Sequence, residues 1–375
     1  MNLFFTPSPF FVLPTGMLWR SLHSRPILTV SSRKESLMMK AWTVKKPGSL
    51  ENLQLVDLAD PGAPAAGEIR VALHATSLNY HDLLVATGVI PTADRRILMA
   101  DGAGVVEAVG AGVNEFQPGD RVVAGFFPQW LDGRPGPLVS DFSQTPGDGA
   151  EGFACQYVVR PASHFTHAPE GWSFREAATI TTSGLTAWRA LVVEGRLKAG
   201  DTVLTLGTGG VSITALQLAK SMGAQVIVTS SSDEKLARAR ALGADHLINY
   251  RTTPAWGAAV QDITGHRGAD LILELGGPGT LGQSFEAVSV GGHIALIGVL
   301  TGFEGHVPTH LLMSKQARLQ GLVVGNRRQQ QDYVNALNLQ ASRPVIDKVF
   351  DFKALPDAFR YLQSGAHFGK ICMEW

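Results

Sequence analysis

The stretch Thr202-Val203-Leu204-Thr205-Leu206-Gly207-Thr208-Gly209-Gly210-Val211-Ser212 decides how this sequence folds. It starts as a short apolar strand, passes through a glycine-rich turn and runs into an apolar segment, Ile213 to Met222, that fits a helix. Gly207 permits a tight turn, and Gly209 lets the backbone approach a phosphate closely. Ser212 stands where such turns usually carry a last glycine, and it is still small enough for close helix packing. This order predicts that a dinucleotide phosphate binds at the helix N-terminus, held by Gly207, Gly209, Gly210 and Val211.

Strands and helices keep alternating on the C-terminal side of this turn. Including the first, apolar strands are predicted at Thr202 to Leu206, Gln225 to Thr229, His246 to Asn249, Leu271 to Leu275, His293 to Ile297 and Leu319 to Val324. Because helical segments separate them, they predict an α/β domain over residues 166–326 with a doubly wound parallel sheet of six strands.

The flanking segments have a different pattern. Residues 39–165 predict a mainly β domain, with short β-like runs at Glu68 to Ala75, Gly102 to Val109, Arg121 to Gly125 and Cys155 to Val159. Ten of the 28 residues from Gly125 to Gly152 are Gly or Pro, so a long surface loop without regular structure is expected there. Residues 327–375 are expected to return to the first domain through a helix, a strand at Asp347 to Phe352, a helix from Leu355 and a strand at Lys370 to Met373.

The end of the second strand indicates which dinucleotide binds. A protein specific for NAD carries an Asp or Glu there for the ribose hydroxyl, but this sequence reads Thr229-Ser230-Ser231-Ser232. Hydroxyl groups of Ser230 and Ser231, with Lys235 and Arg238 one helical turn on, suit the 2′-phosphate of NADPH. NADPH is therefore predicted, and NADH stays an alternative. Ser231 and Glu234 also fit a helix capping box, in which case Lys235 is only solvated.

Composition excludes several classes of protein. The chain has 375 residues, 45% hydrophobic and 17% charged, which predicts a globular protein of two or three domains. Lys+Arg and Asp+Glu are 32 each, so no net field would attract nucleic acid or an anionic membrane, and neither is an expected partner. With only two cysteines, Cys155 and Cys372, a disulfide framework is excluded and a reducing compartment, the cytoplasm, is expected.

Residues 1–38 do not fit either domain. Prolines interrupt their apolar part before it reaches the roughly 18 residues of a membrane span. The first basic residue, Arg20, follows that apolar part, which is the wrong order for a secretory signal. We expect a disordered or untranslated extension, with Met38 or Met39 as the start. The alternative is a mitochondrial transit peptide, because the segment contains Arg20, Arg25 and Arg33 among several serines.

Several motifs together carry a resemblance to a known family over residues 39–375. They are Ser77-Leu78-Asn79-Tyr80-His81-Asp82, Asp101-Gly102-Ala103-Gly104-Val105-Val106, Pro118-Gly119-Asp120-Arg121-Val122, Leu185-Thr186-Ala187-Trp188, Ala241-Leu242-Gly243-Ala244-Asp245 and Gly369-Lys370-Ile371. The chain resembles the medium-chain dehydrogenase/reductase superfamily, in particular its zinc-independent quinone oxidoreductase-like branch. That resemblance implies a GroES-like, mainly β catalytic domain, a Rossmann domain, a cleft between them, NAD(P)H-dependent reduction, and a homodimer or homotetramer.

The resemblance also carries over site residues. It places Lys235 and Tyr250 at the adenosine phosphate, and it places Thr186, Gly298, Val299 and Asn326 near the nicotinamide half of the cofactor. Zinc alcohol dehydrogenases of the same superfamily are similar too, and matching them puts Asn79, Ala100 and Thr182 at the ligand positions. None of the three is a good zinc ligand, so no metal is expected.

Without zinc, a conjugated carbonyl is the expected substrate. An alkoxide would lack its Lewis acid, whereas a quinone or enone delocalises the charge that hydride brings. The candidate catalytic residues are Asn79, Tyr80 and His81. The alternatives are that Asn79 fixes a turn, that Tyr80 packs and that His81 faces solvent. Asp82 is expected to have a structural role. Two other functions stay open: an alcohol or aldehyde dehydrogenase, and an NADPH-binding sensor or structural protein with little turnover.

Overall fold

The computed structural model of this chain describes residues 38–375. The predictions for the N-terminal extension therefore lie outside the described residues, apart from Met38. In the described part the N-terminal half contains the strands β1 (Met38–Val44), β2 (Leu53–Ala59), β3 (Glu68–Ser77), β4 (Arg96–Ile97), β5 (Ala103–Val109), β6 (Arg121–Ala124), β7 (Tyr157–Pro161) and β8 (Phe165–His167). Its helices are α1 (Tyr80–Ala86), α2 (Pro137–Ser140), α3 (Phe174–Ala178) and α4 (Leu185–Trp188).

Alternating strands and helices follow, as the sequence predicts. They are β9 (Thr202–Leu206), α5 (Gly210–Ser221), β10 (Gln225–Ser230), α6 (Asp233–Ala241), β11 (His246–Asn249), α7 (Trp256–Ile263), β12 (Ala269–Glu274), α8 (Pro278–Ala287), β13 (Val288–Leu296), α9 (Thr309–Ser314) and β14 (Arg318–Gly321). The chain ends with α10 (Arg327–Asn338), β15 (Ile346–Asp351), α11 (Leu355–Gln363) and β16 (Lys370–Glu374).

The strands β9 to β14 form the predicted parallel sheet of six, in the order β11-β10-β9-β12-β13-β14. The order reverses beside β9, and ligands of such sheets bind outside the carboxyl ends of the strands at this point. Successive residues of β9 alternate between two cores: Val203 packs with α5 on one face, and Leu204 packs with α7 and α8 on the other. Burial on both faces explains why these strands read as continuous apolar runs.

The other sheet is mainly antiparallel and has seven strands, in the order β15-β16-β3-β5-β6-β8 with β7 also paired to β3. The C-terminal strand β16 pairs with β3, so that Cys372 lies opposite Ser77. This pairing brings the last residues of the chain beside the segment Ser77 to Asp82. A smaller sheet, β2-β1-β4, covers the same core.

The structure differs from the predictions most clearly in three details. The loop expected from Gly125 to Gly152 contains one helical turn, α2, which begins at a proline as helices often do. Strand β13 begins at Val288 instead of His293, and β14 ends at Gly321, before Val324, whose φ of 45° does not suit a strand. None of the helices in residues 38–375 has the length and apolar character that a membrane crossing requires.

Candidate active site

The glycine turn between β9 and α5 leaves open space for a phosphate. Gly207 has a φ of 78°, a conformation that favours glycine. A Cβ atom built on Gly209 would meet only the Nε2 atom of His367, at 4.0 Å. No side chain caps the N-terminus of α5, so the positive end of its helix dipole is available to an anion. The turn therefore fits the diphosphate of a dinucleotide.

Gly210 is required for a different reason. A Cβ atom there would lie 2.5 Å from Cδ of Lys370, because that side chain runs past the start of α5. Ser212, at the last position of the turn pattern, donates its hydroxyl to the Leu206 carbonyl at 2.7 Å. The small residues of this turn therefore serve two purposes, phosphate approach at Gly209 and packing of Lys370 at Gly210.

The residues expected at the 2′-phosphate meet near the end of β10, but not all of them are free. Ser232, and not Ser231, caps α6 by accepting from the Lys235 N–H, so the predicted capping box is wrong. Lys235 donates its Nζ to the Gly365 carbonyl at 2.6 Å, and burial lowers its pKa. Tyr250 follows β11, lies 42% exposed and donates its N–H to the Ser230 carbonyl.

Arg238 is bonded elsewhere. Its guanidinium donates to Asp347 at 3.0 Å and lies 4.2 Å from the centre of the Phe368 ring. These contacts tie Arg238 to the C-terminal segment instead of leaving it free for the 2′-phosphate.

Six polar side chains from four segments form what we call the buried polar cluster: Ser77, Asn79, Asp82, Asp101, Thr182 and Lys370. Asp101 is fully buried and accepts from the Ser77 hydroxyl at 2.5 Å, from Asn79 Nδ2 at 2.9 Å and from the Thr182 hydroxyl at 2.6 Å. These bonds tie β3, α1 and the helical segment before α4 together.

Asp82 completes a capping box at the start of α1. It accepts from the backbone N–H and the Nδ2 of Asn79 at 2.9 and 3.1 Å, and from the Ala100 N–H at 2.9 Å. Burial raises the pKa of this carboxyl to about 6, and the neighbouring Asp101 acts in the same direction. The structural role expected for Asp82 agrees with these contacts.

Lys370 supplies the cation of the cluster. Its side chain is 4% exposed, and its Nζ donates to Asn79 Oδ1 at 2.6 Å and to the Leu78 carbonyl at 2.7 Å, with Asp101 Oδ2 at 3.7 Å. The Asn79 amide is thus bonded on both sides, its nitrogen to two carboxylates and its oxygen to the ammonium.

A cleft of about 850 Å³ opens beside the carboxyl ends of β13 and β14. Gly298 and Val299 line it from the parallel sheet, and Phe142 and Val139 line it from the long loop. Only glycine fits at position 298, because a Cβ atom there would lie 1.8 Å from the Leu275 carbonyl oxygen. The cleft walls are mostly apolar, as ligand sites usually are.

The other two residues expected near the nicotinamide lie outside that lining. Thr186 is buried on α4. Asn326 caps α10 by accepting from the Gln329 N–H at 2.8 Å, and its Nδ2 donates to the Gly133 carbonyl at 3.4 Å. Among the loop aromatics, Phe126, Phe127 and Trp130 form a small core of the loop, while Phe142 reaches the cleft.

Comparison with known proteins agrees with this architecture. The sequence profile of the alcohol dehydrogenase GroES-like domain matches residues 65–170, and that of the zinc-binding dehydrogenases matches residues 210–342. A zinc-type alcohol dehydrogenase-like protein of Schizosaccharomyces pombe is 40% identical over 82% of this chain and 91% of its own length. This chain is a medium-chain dehydrogenase/reductase. The predicted fold, a GroES-like domain with a Rossmann sheet, is confirmed.

Solved structures of the superfamily differ in the activity named for them. An NAD-dependent alcohol dehydrogenase is 34% identical, with a TM-score of 0.80 over 90% of this chain and 99% of its own. A quinone oxidoreductase of Pseudomonas syringae pv. Tomato DC3000 is 27% identical, with a TM-score of 0.75 over 90% of this chain and 100% of its own. The chain is therefore an oxidoreductase of this superfamily.

The positions that hold zinc in related dehydrogenases do not suit that metal here. Ala100 has no donor atom, the Asn79 amide is bonded within the buried polar cluster, and Thr182 donates to Asp101. The Lys370 ammonium beside Asn79 is a cation already. Zinc prefers thiolate, imidazole and carboxylate ligands, and within residues 38–375 no three such side chains are grouped to hold an ion.

Tyr80 and His81 differ in what they can offer a substrate. Tyr80 begins α1, is 40% exposed, and its hydroxyl has no hydrogen-bond partner in the described part of the chain. His81 Nε2 lies 3.2 Å from Asp148 Oδ2, its Nδ1 is buried without a partner, and its ring stacks on Phe142 with centroids 6.1 Å apart. His81 is therefore enclosed, contrary to the alternative that it faces solvent.

Sequence reasoning gave no role to Asp101, Asp148, His367 or Lys370. Asp101 and Lys370 lie in motifs of the superfamily, but a charged residue beside glycine does not reveal a partner far along the chain. Asp148 lies in the Gly- and Pro-rich loop and gives no periodic signal. Only the fold brings these residues to the site.

Proposed function

We propose that this protein is an NADPH-dependent reductase that transfers hydride to a conjugated carbonyl, a quinone or an enone, without a metal. The observation that carries the proposal is the Lys370 ammonium bonded to Asn79 where related alcohol dehydrogenases hold zinc. Oxidation of a simple alcohol needs a Lewis acid to stabilise the alkoxide. A conjugated acceptor spreads the incoming charge onto its carbonyl oxygen and needs only a hydrogen-bond donor.

Tyr80 is the proton donor in this proposal, since its exposed hydroxyl is unbonded while both His81 nitrogens are enclosed. A bound nicotinamide dinucleotide supplies the hydride, which carries an electron pair to the conjugated carbon. The carbonyl oxygen gains the negative charge, takes the Tyr80 hydroxyl proton, and the phenolate recovers a proton from water. Asn79 acts as a positioning residue that holds the start of α1 against the buried polar cluster.

The preference for NADPH rests on the end of β10. Ser230 and Ser231 stand where an acidic residue would bind the ribose hydroxyl of NADH, and Lys235 and Tyr250 lie beside them. A serine at this position lacks the carboxylate that would repel a 2′-phosphate there. NADH remains the alternative cofactor, since one solved relative is described as NAD-dependent.

An alcohol or aldehyde dehydrogenase is the second candidate, because relatives are described as alcohol dehydrogenases. It requires bound zinc for activity. The two candidates therefore differ in metal content as well as in substrate.

The test is an assay of the full-length protein with NADPH and, in parallel, NADH. Initial rates of cofactor oxidation are measured with 1,4-benzoquinone, an aliphatic enone and a simple aldehyde, and zinc is measured by plasma mass spectrometry. We expect turnover of the quinone or the enone, preference for NADPH, less than stoichiometric zinc, and no loss of rate after chelator treatment. Stoichiometric zinc with chelator-sensitive aldehyde turnover would support the second candidate. NADPH binding without any turnover would support a sensor or structural protein.

A further inference from the structure

The C-terminal segment Gly365–Lys370 passes directly across the glycine turn. The Gly369 N–H donates to the Thr208 carbonyl at 2.9 Å, and Gly369 forms a parallel bridge with Gly209. At the start of this segment the Gly365 carbonyl accepts from Lys235 Nζ at 2.6 Å. These contacts at both ends fix the segment against the glycine turn, so its side chains have defined positions there.

His367 faces the turn at Gly209, whereas Lys370 of the same segment packs on Gly210. Its Nε2 lies 4.0 Å from the point where a Cβ on Gly209 would be, and no other atom comes within 4 Å of that point. Its Nδ1 is buried without a partner, and the imidazole makes no hydrogen bond in the described part of the chain. Nε2, which also has no hydrogen-bond partner in residues 38–375, is the nitrogen directed at this open space.

The charges around His367 favour an anion. Lys235 and Lys370 both act on the imidazole as nearby cations, Asp347 opposes them, and the N-terminus of α5 adds its own positive end. Burial and the two lysines lower the pKa of His367 to about 4. A phosphate group beside Nε2 would offset that repulsion and accept a hydrogen bond.

We propose that His367 binds the bridging diphosphate of the nicotinamide dinucleotide through Nε2, as a cofactor ligand contributed by the C-terminal segment. This inference rests on one part of the proposed function, the binding of a nicotinamide dinucleotide. It does not depend on which substrate accepts the hydride. The bridging diphosphate is the expected partner because Nε2 faces Gly209, which belongs to the phosphate turn. The 2′-phosphate belongs to the other end of the site, beside Ser230 and Tyr250.

Binding titrations test this assignment. The Kd values of NADH and of NADPH are measured by nicotinamide fluorescence for the full-length wild type, His367→Ala and His367→Gln. A lost hydrogen bond to a charged group predicts about a tenfold rise in both Kd values for His367→Ala. The Gln variant keeps an N–H donor and should lose less. Tyr250→Phe is the matched control, because Tyr250 lies at the 2′-phosphate end and forms no hydrogen bond with the segment of His367 among residues 38–375, and it should weaken NADPH alone. Unchanged affinities in His367→Ala, or a loss confined to NADPH, would overturn the proposal.

Proton uptake on cofactor binding distinguishes a contact of His367 with the phosphate from a purely structural role of His367. Calorimetric titration with NADH at pH 6 in two buffers of different ionisation enthalpy counts the protons taken up on binding. Wild type should take up protons because the diphosphate raises the pKa of His367, and His367→Gln should not. Equal uptake by both proteins would contradict the assignment. If wild type binds neither dinucleotide, the proposed function and this inference both fail; if it binds both and reduces no acceptor, only the proposed function fails.

Discussion

Lys370 connects the two halves of the site at the scale of a single residue. Its alkyl chain packs on Gly210 at the cofactor turn, and its ammonium bonds Asn79 in the catalytic domain. A buried ammonium is tolerated only where its hydrogen bonds and charge are met, and here two carbonyl oxygens and the Asp101 carboxylate meet them.

Lys370→Met should therefore destabilise the protein by about 3 kcal/mol, because it leaves the buried Asp101 carboxylate without its cation. The free energy of unfolding from denaturant titration measures the loss. Lys45→Met, a change of the same type at an exposed lysine, is the control and should have little effect. If Lys370→Met cost no more than Lys45→Met, the ammonium would have no electrostatic role in the cluster.

Tyr80→Phe tests the proton donor. The substitution removes only the hydroxyl, so kcat should fall about a hundredfold while the Kd of NADPH stays the same. His81→Gln should lower kcat less, since the imidazole is enclosed by Asp148 and Phe142. A larger loss in His81→Gln than in Tyr80→Phe would transfer the donor role to His81.

At the scale of elements, the start of α5 depends on a side chain from β16. A Cβ at Gly210 would lie 2.5 Å from Lys370 Cδ and 3.2 Å from Ser183 Cβ. Alanine is otherwise a better helix former than glycine by about 1 kcal/mol. The two effects have opposite signs, so the outcome of the substitution depends on whether Lys370 is present.

Gly210→Ala should destabilise the wild-type protein, and it should do so less in a Lys370→Ala background, with a coupling energy of about 1 kcal/mol. Gly282→Ala in α8 is the matched control, since no atom lies within 4 Å of its Cβ position, and it should be neutral or stabilising. Unfolding free energies of the four proteins of the cycle measure the coupling. Additive effects would mean that Lys370 does not restrict position 210.

At the scale of the whole molecule, one buried and two partly buried histidines are expected to set a pH limit on stability. Burial lowers the pKa of His164, His293 and His367 to about 4, from an ordinary value of 6.5. Between these values the unfolded chain binds more protons at these residues than the folded one, so stability falls as the pH falls from 6.5 towards 4. Asp82 has the opposite effect, because its pKa is raised to about 6 and the folded chain binds its proton first. Its contribution cancels that of one of the three histidines.

We expect the thermal midpoint of the cofactor-free protein to decrease steadily between pH 7 and pH 4.5, as followed by circular dichroism. His293→Asn keeps an acceptor for the Arg318 N–H but does not titrate, so it should reduce the slope by about half, because Asp82 already cancels one of the three histidines. A midpoint that is flat over this range, or a slope unchanged in His293→Asn, would show that these histidines are already protonated in the folded state.

The sequence by itself determined the elements and the cofactor turn. The spacing of apolar residues and the positions of the glycines place β9, the glycine turn and α5 correctly. Both signals are local properties of the chain. The absence of an acid after β10 and of zinc ligands at Asn79, Ala100 and Thr182 can likewise be read from single positions.

Tertiary structure alone decided what surrounds those positions. The antiparallel pairing of β16 with β3 carries Lys370 to Asn79 and His367 to Gly209, and the loop brings Asp148 to His81. Arg238, which the sequence places near the cofactor, is bonded instead to Asp347 of β15. Such contacts join residues distant in sequence through strand pairing and charge, and neither leaves a local pattern in the chain.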